Sequence, residues 1–127
     1  MIKKVLVILG SLLTIIWGIA HLIPTSSVVK GFGNISIDNI RIIQMEWINE
    51  GLTLIFIGLL VSLVTILENN ITKIKKIVYI TSAIMLFSMA ILSLFTGFKI
   101  DLIPFKLCPI IFSVSGVLIL QGVFTKK

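Results

Sequence analysis

Four apolar stretches divide this sequence, and each is long enough to cross a membrane. They cover about residues 5–23, 42–67, 77–97 and 104–124, and polar connections separate them. A helix needs about 20 apolar residues to span roughly 30 Å of hydrocarbon, and it satisfies its own backbone hydrogen bonds there. The sequence therefore predicts an all-α integral membrane protein, with residues 1–127 forming a single four-helix bundle.

The composition supports the same class. Hydrophobic residues make up 57% of the chain and charged residues 13%, whereas soluble domains have roughly 45–50% and about 25%. These values also exclude intrinsic disorder, which requires low hydrophobicity and high net charge. The single cysteine, Cys108, excludes an intramolecular disulfide framework and a thiolate-only zinc or iron–sulfur site within one chain.

The distribution of charge predicts the orientation in the membrane. The chain has a net charge of +6. If both termini are cytoplasmic, seven basic residues and one acidic residue, Glu68, lie on the cytoplasmic side. Four basic and four acidic residues then lie on the other side. The seven are Lys3, Lys4, Lys73, Lys75, Lys76, Lys126 and Lys127. The positive-inside rule thus predicts a multi-pass protein of the cell membrane with both termini in the cytoplasm, and no nucleic-acid partner.

Local signals indicate where the spans begin and end. Pro24 ends the first span, because the residue before a proline is biased out of the helical region. Residues 25–36 are predicted to form a polar connection, and Asp38 is the predicted N-cap of a second helix that begins at Asn39. A cleaved signal peptide is the alternative for the first span. We expect the span to be retained, because Trp17 crowds the candidate cleavage site and three spans follow.

A polar cluster near the non-cytoplasmic end of the bundle is the main candidate site. Glu46 and Glu50 are four residues apart and share a helix face. His21 lies at a similar depth in the first span, and Trp17 is one turn deeper. Ionisable groups in a membrane usually face the bundle interior, a cavity or one another. We therefore predict an extracytoplasmic pocket that binds a ligand through His21, Glu46, Glu50, Trp17, Trp47 and Asn49.

Several of these residues also have a purely structural interpretation. The two tryptophans also fit an aromatic belt, Glu46 also fits a solvated pair with Arg41, and Glu50 also fits a contact with His21 that only fixes helix register. A metal site needs two or three ligands converging at about 2 Å. One histidine and two glutamates meet only the minimum count, so we assign no metal and no cofactor.

Small residues and the single cysteine give two further predictions. Gly10 and Gly18 on the first span, and Gly51 and Gly58 on the second, are expected to let helices pack closely. Cys108 lies one turn into the fourth span on the non-cytoplasmic side. A redox cycle there needs a partner thiol, so Cys108 is left out of the predicted pocket.

Two segments resemble small prokaryotic four-span proteins of the DoxX-like family. They are WGIAHLIP at residues 17–24 and MEWINEG at residues 45–51. The resemblance implies a bundle whose first two helices contribute polar residues to a common pocket, and it implies no single activity. A more distant similarity, to the sterol isomerase class, implies proton shuttling by His21, Glu46 and Glu50. The third and fourth spans carry no further acidic residue, which departs from that pattern.

We predict a binding or accessory module rather than an enzyme. It would hold a lipophilic small molecule, or a partner membrane protein, at the extracytoplasmic end. Two alternatives stay open. One is a membrane enzyme in which Glu50 and His21 are the catalytic pair for proton transfer on a lipid-soluble substrate. The other is a small transporter that works as a homo-oligomer, since four helices alone seldom enclose a gated path.

Overall fold

Four long helices form the protein in the computed structural model, which describes residues 2–68, 70–101 and 103–124. The helices, numbered in chain order, are α1 (Ile2–Leu22), α2 (Thr25–Gly31), α3 (Ile37–Leu67), α4 (Lys73–Phe95) and α5 (Ile103–Leu120), with a 3-10 turn at Gly97–Lys99. The described residues contain no strand. Helices α1, α3, α4 and α5 are long and apolar enough to cross a membrane. These helices confirm the prediction of an all-α membrane protein with four spans.

The four long helices do not pack equally against one another. Helix α1 packs along both α3 and α5, and α4 packs along α5, whereas α3 and α4 have little contact. Consecutive long helices run in opposite directions, so α1 and α4 end where α3 and α5 begin. We call that end of the bundle the distal end and the opposite end the proximal end. The weak α3–α4 contact leaves space between these two helices.

Glycine allows α1 and α3 to approach closely. A Cβ atom on Gly18 would lie 2.7 Å from the carbonyl oxygen of Gly51, and one on Gly58 would lie 2.6 Å from the carbonyl oxygen of Ser11. Ser62 donates a hydrogen bond of 2.8 Å from its hydroxyl to the hydroxyl of Ser11. These contacts confirm that the small residues serve helix packing, as the sequence predicts.

The outer surface of the bundle is apolar. Phe56 on α3, Ile84 on α4 and Ile110 on α5 are more than half exposed. In water, such a surface would be unfavourable by roughly 25 cal/mol for each Å² of apolar area. Contact with lipid removes this penalty, which explains why so many large apolar side chains face outward.

Several predicted helix ends are wrong. Ser36, rather than Asp38, is the N-cap of α3, because its hydroxyl accepts a hydrogen bond of 3.3 Å from the backbone N–H of Asn39. Asp38 therefore lies in the first helical turn. The predicted connection contains α2, in which Val28 and Val29 are buried; burial of apolar side chains stabilises a helix that is too short to form alone.

The last predicted span also differs from the structure. Helix α5 ends at Leu120, and turns continue to Phe124, whereas the sequence predicts a span to residue 124. The side chain of Lys3 donates a hydrogen bond of 2.7 Å to the carbonyl oxygen of Phe124, which ties the two ends of the described chain together. Lys126 and Lys127, which contribute to the predicted orientation, lie outside the described residues.

Candidate functional site

A cavity of about 500 Å³ lies between α3 and α4 at the distal end. We call it the distal cavity. Its α3 wall carries the polar side chains Glu46, Asn49, Glu50 and Thr53. Glu46 lies three and four residues before Asn49 and Glu50, and Thr53 lies four and three residues after them, so the four side chains lie on one side of the helix. The α3 wall therefore offers carboxyl, amide and hydroxyl groups to the space between the helices.

The opposite wall of the distal cavity is mainly apolar. It is formed by Met85, Met89 and Leu92 on α4, and Phe105 at the start of α5 closes one end. Several of the lining side chains are also open to the outside, since Met85 is 45% exposed and Leu92 is 63% exposed. The cavity is therefore open between α3 and α4, on the face where lipid would contact the bundle.

His21 lies deep in the bundle beside the distal cavity and is 1% exposed. Its Nδ1 atom is 3.1 Å from the carbonyl oxygen of Trp17. A carbonyl oxygen only accepts hydrogen bonds, so Nδ1 donates and the neutral ring carries its free lone pair on Nε2. Nε2 is 3.7 Å from Oε1 of Glu50 and 3.6 Å from Sγ of Cys108.

Aromatic rings hold the imidazole of His21 in this position. The ring stacks on Trp47 with centroids 4.4 Å apart and meets Trp17 edge-on with centroids 5.5 Å apart. The indole N–H of Trp47 donates a hydrogen bond to the carbonyl oxygen of His21. This carbonyl belongs to the last turn of α1, where carbonyl groups have no N–H donor within the helix. Trp47 thus links α3 to the C-terminal end of α1.

The predicted site residues fall into two groups. Trp17, His21, Trp47 and Glu50 form one cluster, in which Trp47 is only 4% exposed and so packs inside the bundle rather than in an aromatic belt. Glu46 and Asn49 are exposed and line the open side of the distal cavity. Whether these six residues bind a ligand stays a prediction.

The alternative pairing of Glu46 with Arg41 is wrong. Arg41 instead lies 4.0 Å from Asp38, and both side chains are largely exposed. Residues three apart share a helix face, whereas residues five apart do not. The carboxylate of Glu46 is therefore free to face the distal cavity.

The contribution of α4 and α5 to the site was not predicted from the sequence. Cys108 is buried against His21, while Met85, Met89 and Phe105 line the cavity. The depth of Cys108 in the fourth span, one turn from the same end of the bundle as His21 and Glu50, is the signal that could have included it. Depth alone does not reveal that α5 lies next to α1.

Comparison with known proteins gave no match to a protein-family model, a curated protein or a solved structure. The resemblance to DoxX-like proteins stays a prediction.

The two tryptophans allow a matched test of the hydrogen bond that holds the site. The indole N–H of Trp17 is buried and makes no hydrogen bond of normal geometry within the described part of the chain, whereas that of Trp47 donates to the carbonyl oxygen of His21. Substitution by phenylalanine removes a similar apolar area at both positions. We expect Trp47→Phe to lower the free energy of unfolding by about 1–3 kcal/mol more than Trp17→Phe. Unfolding in detergent micelles measures this difference, and equal losses would contradict the assigned role of Trp47.

Proposed function

We propose that the protein binds a small amphiphile from the bilayer in the distal cavity. The two-sided lining of the cavity carries this proposal. The apolar chain of the ligand packs against Met85, Met89 and Leu92 on α4, and its polar head contacts the carboxyl, amide and hydroxyl groups of α3. A volume of about 500 Å³ lies within the range of roughly 300–1,000 Å³ that is common for small-molecule sites.

The position of the opening supports entry from the membrane. Ile42 on α3 and Leu92 on α4 are 54% and 63% exposed, and both line the cavity. A ligand dissolved in the lipid reaches the cavity sideways between these helices, without passing through water. This route favours a lipophilic molecule over a polar metabolite.

The charge of the lining predicts the chemistry of the head group. Glu46 and Glu50 both line the cavity, and none of the described lining residues is basic. Electrostatic repulsion is strong in a medium of low dielectric constant, so an anionic head group is disfavoured here. We therefore propose a ligand that donates hydrogen bonds through an amine or a hydroxyl group.

Quenching of tryptophan fluorescence tests this function. The full-length chain, in detergent micelles and treated with a chelator, is titrated with chain-terminally brominated decylamine, decanol and decanoate. Bromine quenches tryptophan on contact, and Trp47 lines the cavity. We expect saturable quenching by the amine and the alcohol at concentrations at least about tenfold lower than for the carboxylate, a ratio that corresponds to roughly 1.4 kcal/mol.

Two serines on α4 offer a matched pair for the same assay. Ser93 lines the cavity, whereas Ser88 is exposed and is not one of the lining residues. Ser93→Phe fills the cavity and should abolish saturable quenching, and Ser88→Phe should leave it unchanged. Equal quenching in the two variants, or equal affinity for the three probes, would refute the proposal.

We further propose that the distal end faces the outside of a cell membrane and that both termini face the cytoplasm. Lysines gather at the proximal end of the described chain, where Lys3 and Lys75 lie at the ends of α1 and α4, and cytoplasmic loops are rich in such residues. In a Cys108→Ser background, we expect an impermeant maleimide to label Asn34→Cys in intact cells and Asn70→Cys only after permeabilisation. Both positions are exposed. The reverse labelling pattern would refute the orientation.

A further inference from the structure

We propose that His21, Glu50 and Cys108 form a binding site for a zinc-like divalent transition-metal ion on the inner wall of the distal cavity. One ligand-type atom from each residue lies within 4.8 Å of the other two. The three residues come from α1, α3 and α5, so the tertiary fold brings them together. This site goes beyond amphiphile binding and does not depend on it.

The separations of the ligand atoms match a tetrahedral site. With metal–ligand bonds of about 2.0–2.3 Å, tetrahedral ligands lie about 3.3–3.7 Å from one another. His21 Nε2 is 3.7 Å from Glu50 Oε1 and 3.6 Å from Cys108 Sγ. Two of the three edges therefore already have the required length. Rotation of the partly exposed Glu50 side chain is enough to shorten the third edge.

The environment of His21 prepares its ring for coordination. The carbonyl oxygen of Trp17 accepts the Nδ1 proton at 3.1 Å, so the lone pair of Nε2 points toward Glu50 and Cys108. Histidine ligands of metals are commonly held in this way, by a hydrogen bond from the other ring nitrogen to a carbonyl or carboxylate group. Stacking against Trp47 fixes the plane of the ring.

The charges of the three groups suit a divalent ion within a membrane. A thiolate, a carboxylate and a neutral imidazole balance the charge of a 2+ ion, and the proton of the Cys108 thiol leaves to water on binding. A neutral complex is far less costly to hold in hydrocarbon than an isolated charge. Sulfur and nitrogen ligands favour zinc-like ions over Mg²⁺ and Ca²⁺, which prefer oxygen.

The fourth coordination position faces the distal cavity. His21 and Cys108 are almost fully buried, while the side chain of Glu50 is 28% exposed and lines the cavity with Cys108. Three protein ligands with one open position are typical of zinc sites that bind a further molecule. A molecule that enters the cavity between α3 and α4 would therefore reach the open coordination position of the ion.

Cobalt provides a visible probe of this site, because zinc itself has no d–d spectrum. The full-length chain is stripped with a chelator in detergent micelles and titrated with Co²⁺. We expect one cobalt ion per chain, together with the near-ultraviolet charge-transfer absorption of a cobalt–thiolate bond. Zn²⁺ should displace the cobalt, and Mg²⁺ and Ca²⁺ should not.

Two glutamates on α3 supply the matched control. Glu50 belongs to the cluster, whereas Glu46 lies one turn earlier and lines only the cavity. Loss of a group that hydrogen-bonds to a metal ligand typically lowers metal affinity 10- to 100-fold, so we expect loss of the ligand itself in Glu50→Gln to weaken binding by about 100-fold or more. Glu46→Gln should bind as the unchanged protein does. Cys108→Ser should abolish the charge-transfer absorption.

A measurement on the unchanged protein tests the metal site even if the variants fail to fold. Cys108 is the single cysteine of the chain, so bound Zn²⁺ should slow its alkylation by a maleimide. Absence of cobalt absorption, alkylation indifferent to Zn²⁺, or equal affinity in the two glutamate variants would each overturn the metal site. Amphiphile binding is measured after chelation, so either proposal can fail while the other stands.

Discussion

Replacement of Gly18 by leucine should lower the free energy of unfolding by about 3 kcal/mol or more. A Cβ atom at this position would lie 2.7 Å from the carbonyl oxygen of Gly51 and 3.0 Å from the backbone nitrogen of Ile55. Backbone atoms of α3 cannot rotate away as a side chain does, so α1 and α3 must move apart. Extra methylene groups in a packed interior typically cost about 1–3 kcal/mol and occasionally more. Unfolding in detergent micelles measures the loss.

Ala20 is the matched control for this substitution. It lies two residues from Gly18 on α1, and its side chain is exposed on the outer face. Ala20→Leu adds a similar apolar volume where lipid or detergent can accommodate it, so we expect a change within about 0.5 kcal/mol. If both substitutions were equally harmful, helix contact at Gly18 would not explain the effect. Gly18→Leu should also abolish cobalt binding, because it separates His21 from Glu50.

The second large effect is expected for His21→Ala, with a loss of about 2–4 kcal/mol in the free energy of unfolding. The imidazole is 1% exposed and packs between the rings of Trp17 and Trp47. Removal of a buried ring leaves a void whose lining loses its contacts, and large-to-small changes of this kind cost about 2–5 kcal/mol. Thermal or denaturant unfolding of the metal-free protein provides the measurement.

His21→Phe separates the packing of the ring from its polar chemistry. Phenylalanine retains a flat ring against Trp47 but lacks both nitrogen atoms. We expect this variant to keep at least half of the stability that His21→Ala loses, and to bind no cobalt. If phenylalanine and alanine destabilised the protein equally, ring packing would not be the main contribution of His21 to stability.

Hydropathy predicted most of the fold. The four helices that are able to cross a membrane overlap the four predicted spans, because spanning hydrocarbon demands long apolar helices whatever the neighbouring residues are. The ends of the helices were harder to predict. Ser36 and Asp38 are both good N-caps by residue type, and only the extended backbone at Ser36 selects the first.

The candidate site was predicted only in part. His21 and Glu50 were expected at a common depth, and the structure brings Nε2 and Oε1 to 3.7 Å. The set of residues around them was incomplete, because Cys108 was considered only for redox chemistry and no residue of α4 was assigned to the pocket. Depth along a helix follows from counting residues, whereas the rotation of each helix about its axis and the choice of neighbours follow from packing.

The amino-acid sequence alone determines that this protein has four apolar helices and an uneven distribution of positive charge, because both are properties of single segments. The distal cavity and the cluster of His21, Glu50 and Cys108 depend on contacts between segments far apart in the chain. The cavity and the cluster exist because α1 packs closely on α3 at Gly18 and Gly58, whereas α3 has only weak contact with α4. Side-chain shape at these contacts decides which helices pack together, whereas hydropathy describes only the polarity of each segment.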